Sequence, residues 1–194
     1  MTKIEIIWRE ILYQVIEKKV GQFTQKALAQ KFSISLNLVF QALKIPRQAK
    51  AIEVTSRGFR IRDKEKFLYL WATRRNLSKD IIYQTHSELS VKELEASMPP
   101  DIIYAAYSAY LKYFKEAPAD YDKVYVYLEE ENLKKIQKRF PPAKGYENLI
   151  ILKADPWLKN YGPLTPLPQL FVDLWNLEDW YAKDFLNALK EKIL

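Results

Sequence analysis

Three carboxylates are the first candidates for chemistry in this chain. Asp120 and Asp122 stand at alternate positions just before an apolar run at 124–128, and Asp155 follows a second such run at 149–153. Carboxylates in this pattern can hold Mg²⁺ for phosphoryl or nucleotidyl transfer when a third joins from a neighbouring strand. Such a site also needs a glycine-rich loop to cradle phosphates, and the chain has only four scattered glycines. Where a Gly-Ser element would stand, the sequence reads Ala106-Tyr107-Ser108. The expected state is therefore solvated turn carboxylates beside Lys123, with no catalytic or metal-binding residue assigned and no cofactor. His86 is the only histidine and cysteine is absent, which leaves no partner for a metal site or triad and excludes disulfides and thiolate chemistry.

A second set of residues has a different chemistry. Asn37 and Gln41 each carry a donor and an acceptor, the pairing that an adenine edge requires, and Lys44 suits a phosphate or a guanine. Gln25, Ser35 and Arg47 flank them, and Arg57 and Arg60 follow at positions suited to phosphate or minor-groove contact. Leu36 and Phe40 fall on the same outward face although they are apolar. They either touch thymine methyl groups or form a protein–protein patch.

The elements that must position these residues are readable from caps and periodicity. In TQKALAQKFSISLNLVFQAL (24–43), Thr24 can cap a short helix that buries Ala27, Leu28 and Phe32. A turn at Ser33–Ile34 follows, and Ser35 can cap a second helix whose Val39 and Leu43 point back to the first. Residues 4–19 place Ile4, Ile7, Trp8, Ile11, Leu12, Val15 and Ile16 at helical spacing, a third helix to complete the core. Gln22–Phe23 form a very short strand, and Pro46 disfavours further helix. Residues 51–54 and 59–61, around a polar turn ending in Gly58, make a β-hairpin. Three helices and then a hairpin is the winged helix–turn–helix order, with Arg57 at the tip of the wing. A helix capped by Asp63 is expected over 63–77 as a connector.

From residue 78 the pattern changes to helices alternating with short strands. Strands are expected at 81–83, 123–128 and 148–153, and a Ser90-x-x-Glu93 capping box opens a short helix that Pro99–Pro100 stop. Residues 101–114 are apolar nearly all round and read as a buried central helix. A charged helix is expected at 130–139. A proline-rich loop leads to one helix with Leu170, Phe171, Leu174 and Trp175 inward, and a last helix starts near Glu178. The expected fold is α/β (α+β): a winged helix–turn–helix over 1–62, the connector over 63–77, and a small α/β domain with a short mixed sheet over 78–194.

Charge divides along the same boundary. Residues 1–62 hold twelve Lys/Arg against four Asp/Glu, a net of +8, whereas the remainder holds nineteen against twenty. All the excess positive charge therefore accompanies the helix–turn–helix, as a polyphosphate partner requires. No apolar run approaches the length of a membrane span, and the first residues lack the pattern of a signal peptide, so a cytoplasmic protein is expected.

Two longer stretches carry a family likeness. LTPLPQLFVDLWNLEDWYAKDFLNAL (164–189) and KVYVYLEEENLKKI (123–136), taken with the N-terminal motif, resemble the AbiEi-type antitoxin regulators of type IV toxin–antitoxin systems. Those proteins join a winged helix to an α/β C-terminal domain, bind operator DNA upstream of their own operon and repress it. Their C-terminal domain is associated with neutralising a nucleotidyltransferase-type toxin. The resemblance implies a DNA-binding autorepressor without enzymatic activity, homodimeric because half-site readers usually are, with such a toxin as a further partner. The alternative class is a protein-interaction module that uses the winged helix for docking.

Overall fold

A computed structural model of the chain describes residues 1–194. The fold is mixed α/β with two small sheets. It divides into two compact units, Met1–Arg75 with Pro166–Val172 and Lys192–Leu194, and Asn76–Thr165 with Asp173–Glu191. No helix is long and apolar enough to cross a membrane.

The first unit opens with α1 (Lys3–Ile16), β1 (Gln22–Phe23), α2 (Gln25–Phe32) and α3 (Leu36–Gln48). The hairpin β2 (Ile52–Thr55) and β3 (Gly58–Ile61) and the helix α4 (Lys64–Ala72) follow. The helices start where short polar side chains can satisfy free N–H groups: Thr24 accepts from Ala27, Ser35 from Leu38 and Asp63 from Lys66. Thr2 and Glu5 form a full capping box at α1. An antiparallel sheet orders the strands β1-β3-β2, and Phe23 stacks on its partner Phe59 at 5.5 Å.

Several expectations are corrected here. Helix α3 continues through Pro46 to Gln48. Proline removes the N–H that would bond the carbonyl four residues back, which is Ala42. The buried Trp8 indole N–H donates to that carbonyl at 2.7 Å, so the orphaned acceptor is satisfied from α1. Ala27 is exposed rather than buried; α2 turns Leu28, Ala29 and Phe32 inward. Glu5, Arg9 and Glu10 of α1 are buried although charged. Each has a partner: Glu5 accepts from the Trp71 indole (3.4 Å) and lies 3.8 Å from Arg75, Arg9 donates to Gln169 (3.0 Å), and Glu10 pairs with Lys31 (2.5 Å). The helix after Asp63, expected as a connector over 63–77, ends at Ala72 and belongs to the first unit, with Phe67, Leu68 and Trp71 buried.

The second unit contains β4 (Ile81–Thr85), α5 (Val91–Ala96), β5 (Ile103–Tyr104), α6 (Ala106–Phe114), β6 (Val124–Leu128), α7 (Leu133–Arg139) and β7 (Leu149–Lys153). The sheet order is β4-β7-β6-β5, with β6 and β7 parallel and the other pairs antiparallel. Val124, Val126, Leu128, Leu149 and Ile151 form one buried cluster with Leu94 of α5 and Ile136 of α7. The continuous helix expected over 101–114 is instead a strand followed by a helix. Ile103 and Tyr104 pair with Tyr127 and Val126 at the edge of β6, a long-range partner that outweighs local helical periodicity. The remaining helices are α8 (Leu167–Trp175) and α9 (Ala182–Ile193), the latter starting four residues later than expected. Trp175 is exposed rather than inward.

Candidate functional site

The site builds from the turn between α2 and α3. Ser33 takes the left-handed conformation (φ 52°), and the Ile34 N–H returns to the Ala29 carbonyl at 3.0 Å, closing α2. Ser35 then caps α3, and its Oγ is engaged by the Leu38 N–H at 3.2 Å. Buried Val39, Ala42, Leu43 and Pro46 fix the rotation of the helix. Leu36, Asn37, Phe40, Gln41, Lys44 and Arg47 are left exposed. Leu36 is 54% and Phe40 44% exposed, and the Lys44 ammonium lies 5.6 Å from the Phe40 ring centroid, a cation–π distance.

The hairpin supplies the other wall. Ile52 and Val54 share a face with their cross-strand partners Ile61 and Phe59. Ile52 and Phe59 are buried, whereas Val54 is 53% exposed. A crevice of about 60 Å³ separates this face from α3, and no acid lines it: Gln25, Phe40, Lys44, Arg47, Val54 and Gly58 do, with Leu43, Ile52 and Phe59 at its floor. Gly58 has φ +140°, and a Cβ there would stand 2.0 Å from the Phe23 carbonyl oxygen, so the hairpin closes only with glycine.

Of the residues singled out from sequence, Gln25, Phe40, Lys44 and Arg47 meet at this crevice. Leu36, Asn37 and Gln41 lie along the same exposed helix. Ser35 serves the helix as its cap. Arg57 is exposed in the hairpin turn, and Arg60 lies on the opposite hairpin face from Val54, where its Nη2 and Nε sit 2.9 and 3.1 Å from one oxygen of Glu53. Val54 was not among the sequence candidates. Alternation with Ile52 marks it as inward and hence as core, and only the folded hairpin reveals that α3 leaves it uncovered. Compared with known proteins, the chain matches no family model, no curated protein and no solved structure.

The carboxylates weighed from sequence do not converge. Strands β6 and β7 are parallel, with Val124 opposite Leu149 and Leu128 opposite Lys153. Asp120 and Asp122 precede one end of this pair and Asp155 follows the other, a separation of roughly 15 Å or more along the strands. Asp122 accepts from the Tyr181 hydroxyl at 2.6 Å, and Asp155 caps its own turn through the Trp157 N–H at 3.2 Å. No group of three or more His, Cys, Asp or Glu side chains is placed to hold a metal ion.

A different carboxylate organises the second unit, and sequence reading passed over it. Asp179 accepts from the hydroxyls of Tyr107 (2.8 Å) and Tyr125 (2.9 Å) and from the Lys123 ammonium (2.6 Å). Its side chain is only 7% exposed. Burial first, then the adjacent Asp179 charge, pushes both tyrosines well above the ordinary phenol range. Burial is the largest single influence on Lys123 and opposes its charge, but the hydrogen bond to Asp179, the Asp179 charge and the neighbouring Tyr146 together outweigh it and raise the ammonium above its usual value. These groups satisfy one another, and neutral tyrosines beside an ion pair have no activated nucleophile among them.

Proposed function

We propose that the chain is a DNA-binding transcriptional regulator whose first unit is a winged helix–turn–helix. In this reading α2 and α3 are the helix–turn–helix, α3 is the recognition helix, and the β2–β3 hairpin is the wing. The observation that carries it is the acid-free face of α3, where Asn37, Gln41, Lys44 and Arg47 lie exposed and open to a partner. The +8 net charge of residues 1–62 supports the same reading, because a polyanion is the partner that such an excess attracts. By its resemblance to AbiEi-type antitoxins, the chain acts in the cytoplasm as a homodimeric autorepressor on operator DNA. A nucleotidyltransferase-type toxin is the partner of the second unit, and no enzymatic activity or cofactor is invoked.

Exposed Leu36 and Phe40 of α3 and Val54 of β2 favour a second reading, a protein-docking surface on the same face. Salt response separates the two. Binding of the full chain to a duplex from the region upstream of its own gene is measured over rising salt. The regulator reading expects affinity to fall steeply with salt and to drop in Lys44→Ala and Arg47→Ala. Duplex binding that never exceeds the level of unrelated DNA at low salt rejects it in favour of docking.

A further inference from the structure

We infer that α3 is a reader of A·T base pairs, with Leu36 and Phe40 packing on thymine methyl groups while Asn37 and Gln41 bond the paired adenines. The inference rests on the DNA-binding reading and names the sequence class that this same site selects.

The surface of α3 holds a conflict. Cationic and amide groups suit a polyanion, but the apolar groups between them would lose rather than gain by facing phosphates. Leu36, Phe40 and Val54 are each about half exposed, and the crevice beside Phe40 and Val54 contains no acid. A protein partner would have to bury the Lys44 ammonium, which sits over the Phe40 ring, together with Arg47 at the crevice wall. Burying unpaired cations is costly, and the exposed apolar side chains here, Leu36, Phe40, Val54 and Ile45, make a patch that is small beside the roughly 800 Å² per partner of a stable protein interface. The DNA major groove removes the conflict. It presents a single apolar group, the 5-methyl of thymine, within an edge otherwise made of donors and acceptors and flanked by phosphates.

The spacing on α3 fits that edge. Leu36 and Asn37 are neighbours, as are Phe40 and Gln41, and both pairs lie on the exposed side of the helix. Each pair joins an apolar side chain to an amide, which matches the two halves of one A·T pair: a thymine methyl, and the N6 donor with the N7 acceptor of adenine. Four residues of helix advance about 6 Å, close to two base-pair steps of roughly 3.4 Å. The two A·T pairs read by the helix therefore lie about two steps apart. Lys44 continues the row one turn further, where a phosphate or a guanine suits it. The crevice of about 60 Å³ beside Phe40 also has room for a methyl group.

The experiment uses the full chain and a random duplex library. Duplexes retained at moderate salt are sequenced, and the best is remade with deoxyuridine in place of thymine at each enriched position. This exchange removes the methyl group and leaves every hydrogen bond of the base pair in place. The expected result is enrichment of A·T pairs and a loss of about fourfold in affinity per methyl removed, the value of one buried methyl-sized group. Phe40→Ala and Leu36→Ala, both at exposed positions and so compatible with folding, should each abolish the response to one deoxyuridine while Arg57→Ala weakens thymine and deoxyuridine duplexes alike. Equal binding of the two duplexes by the wild-type chain overturns the thymine assignment and leaves DNA binding standing. If no duplex is retained above non-specific level, both the regulator reading and this inference fall.

Discussion

The exposed face of α3 and the Asp179 cluster are built from similar parts and arranged to opposite ends. Both combine charged, polar and aromatic side chains. Around Asp179 every strong group is consumed internally: two tyrosine hydroxyls and one ammonium converge on one carboxylate. On α3 the amides of Asn37 and Gln41 project into solvent and apolar Leu36 and Phe40 stand beside them. A satisfied polar network holds a fold together, whereas polar and apolar groups left together in water have a use only when something else arrives. The contrast places structural work in the second unit's Asp179 cluster and, in the proposed DNA-binding reading, leaves the first unit's helix face for recognition.

The largest expected effect tests the structural side. Asp179→Ala removes one acceptor and strands Tyr107, Tyr125 and Lys123 together. Breaking a buried, hydrogen-bonded pair costs about 3–5 kcal/mol; because Lys123 keeps 19% exposure, the lower end, near 3 kcal/mol, is expected. Asp179→Asn should cost less, since its amide oxygen can still accept from both tyrosine hydroxyls, which share Oδ2, and only the Lys123 partner at Oδ1 is lost. Urea unfolding of the variants reads this directly. A loss under about 1 kcal/mol, the scale of a surface ion pair, would remove the contrast with α3.

The next effect tests how α3 is kept in shape. Trp8→Phe leaves the Ala42 carbonyl with neither the indole donor nor the N–H that Pro46 lacks, for an expected loss of about 1–3 kcal/mol plus a small cavity term. Pro46→Ala restores a helical donor to the same carbonyl. In a double-mutant cycle, Pro46→Ala should therefore recover about 1 kcal/mol more in the Trp8→Phe background than in the wild type. Strict additivity in thermal unfolding would mean that the Trp8 bond does not compensate for the proline.

That pair also explains what could be read from the sequence. Caps at Thr24, Ser35, Asp63 and Ser90 and the helical spacing of α1 act within a turn or two, so local pattern exposes them. The passage of α3 through Pro46 depends on Trp8, a donor 34 residues before the Ala42 carbonyl it serves, and the strand at Ile103–Tyr104 depends on the free edge of β6. Both override a local rule with a distant partner. The exposed candidates on α3 follow from its periodicity, but Val54 and the pairing of Arg60 with Glu53 require the hairpin register. The Asp179 cluster collects residues from 107 to 179, and no spacing announces it.

On the recognition side the expected changes are smaller and appear in binding rather than stability. Arg57→Ala should weaken duplex binding modestly for all sequences and reduce the slope of affinity against salt by about one counterion. Glu53→Ala frees Arg60 from an exposed pair, which should change stability by less than about 0.5 kcal/mol. If the hairpin meets phosphates, the same variant binds DNA more tightly at low salt and converges on the wild type as salt rises. Tighter binding that survives high salt would instead point to a rearranged contact.

The smallest effect belongs to His86, which serves neither region and so makes a control for both. Its Nδ1 lies 2.7 Å from the Tyr146 carbonyl oxygen and its Nε2 3.0 Å from Glu88. The bond to the Tyr146 carbonyl, and then that to Glu88, favours the protonated ring and raises its pKa above the ordinary value. A folded-state pKa above the unfolded one, which is about 6.5, contributes stability that is fully present below the unfolded value. That contribution is lost as pH rises through the folded value. Since it is the chain's only histidine, its ring proton resonance needs no assignment, and its titration midpoint in the folded protein should lie above about 6.5. His86→Gln should flatten the thermal stability profile across that window and leave duplex binding untouched. A midpoint at or below the ordinary value would show that the two contacts do not hold the charged ring, and a change in duplex binding would tie this loop to the α3 face after all.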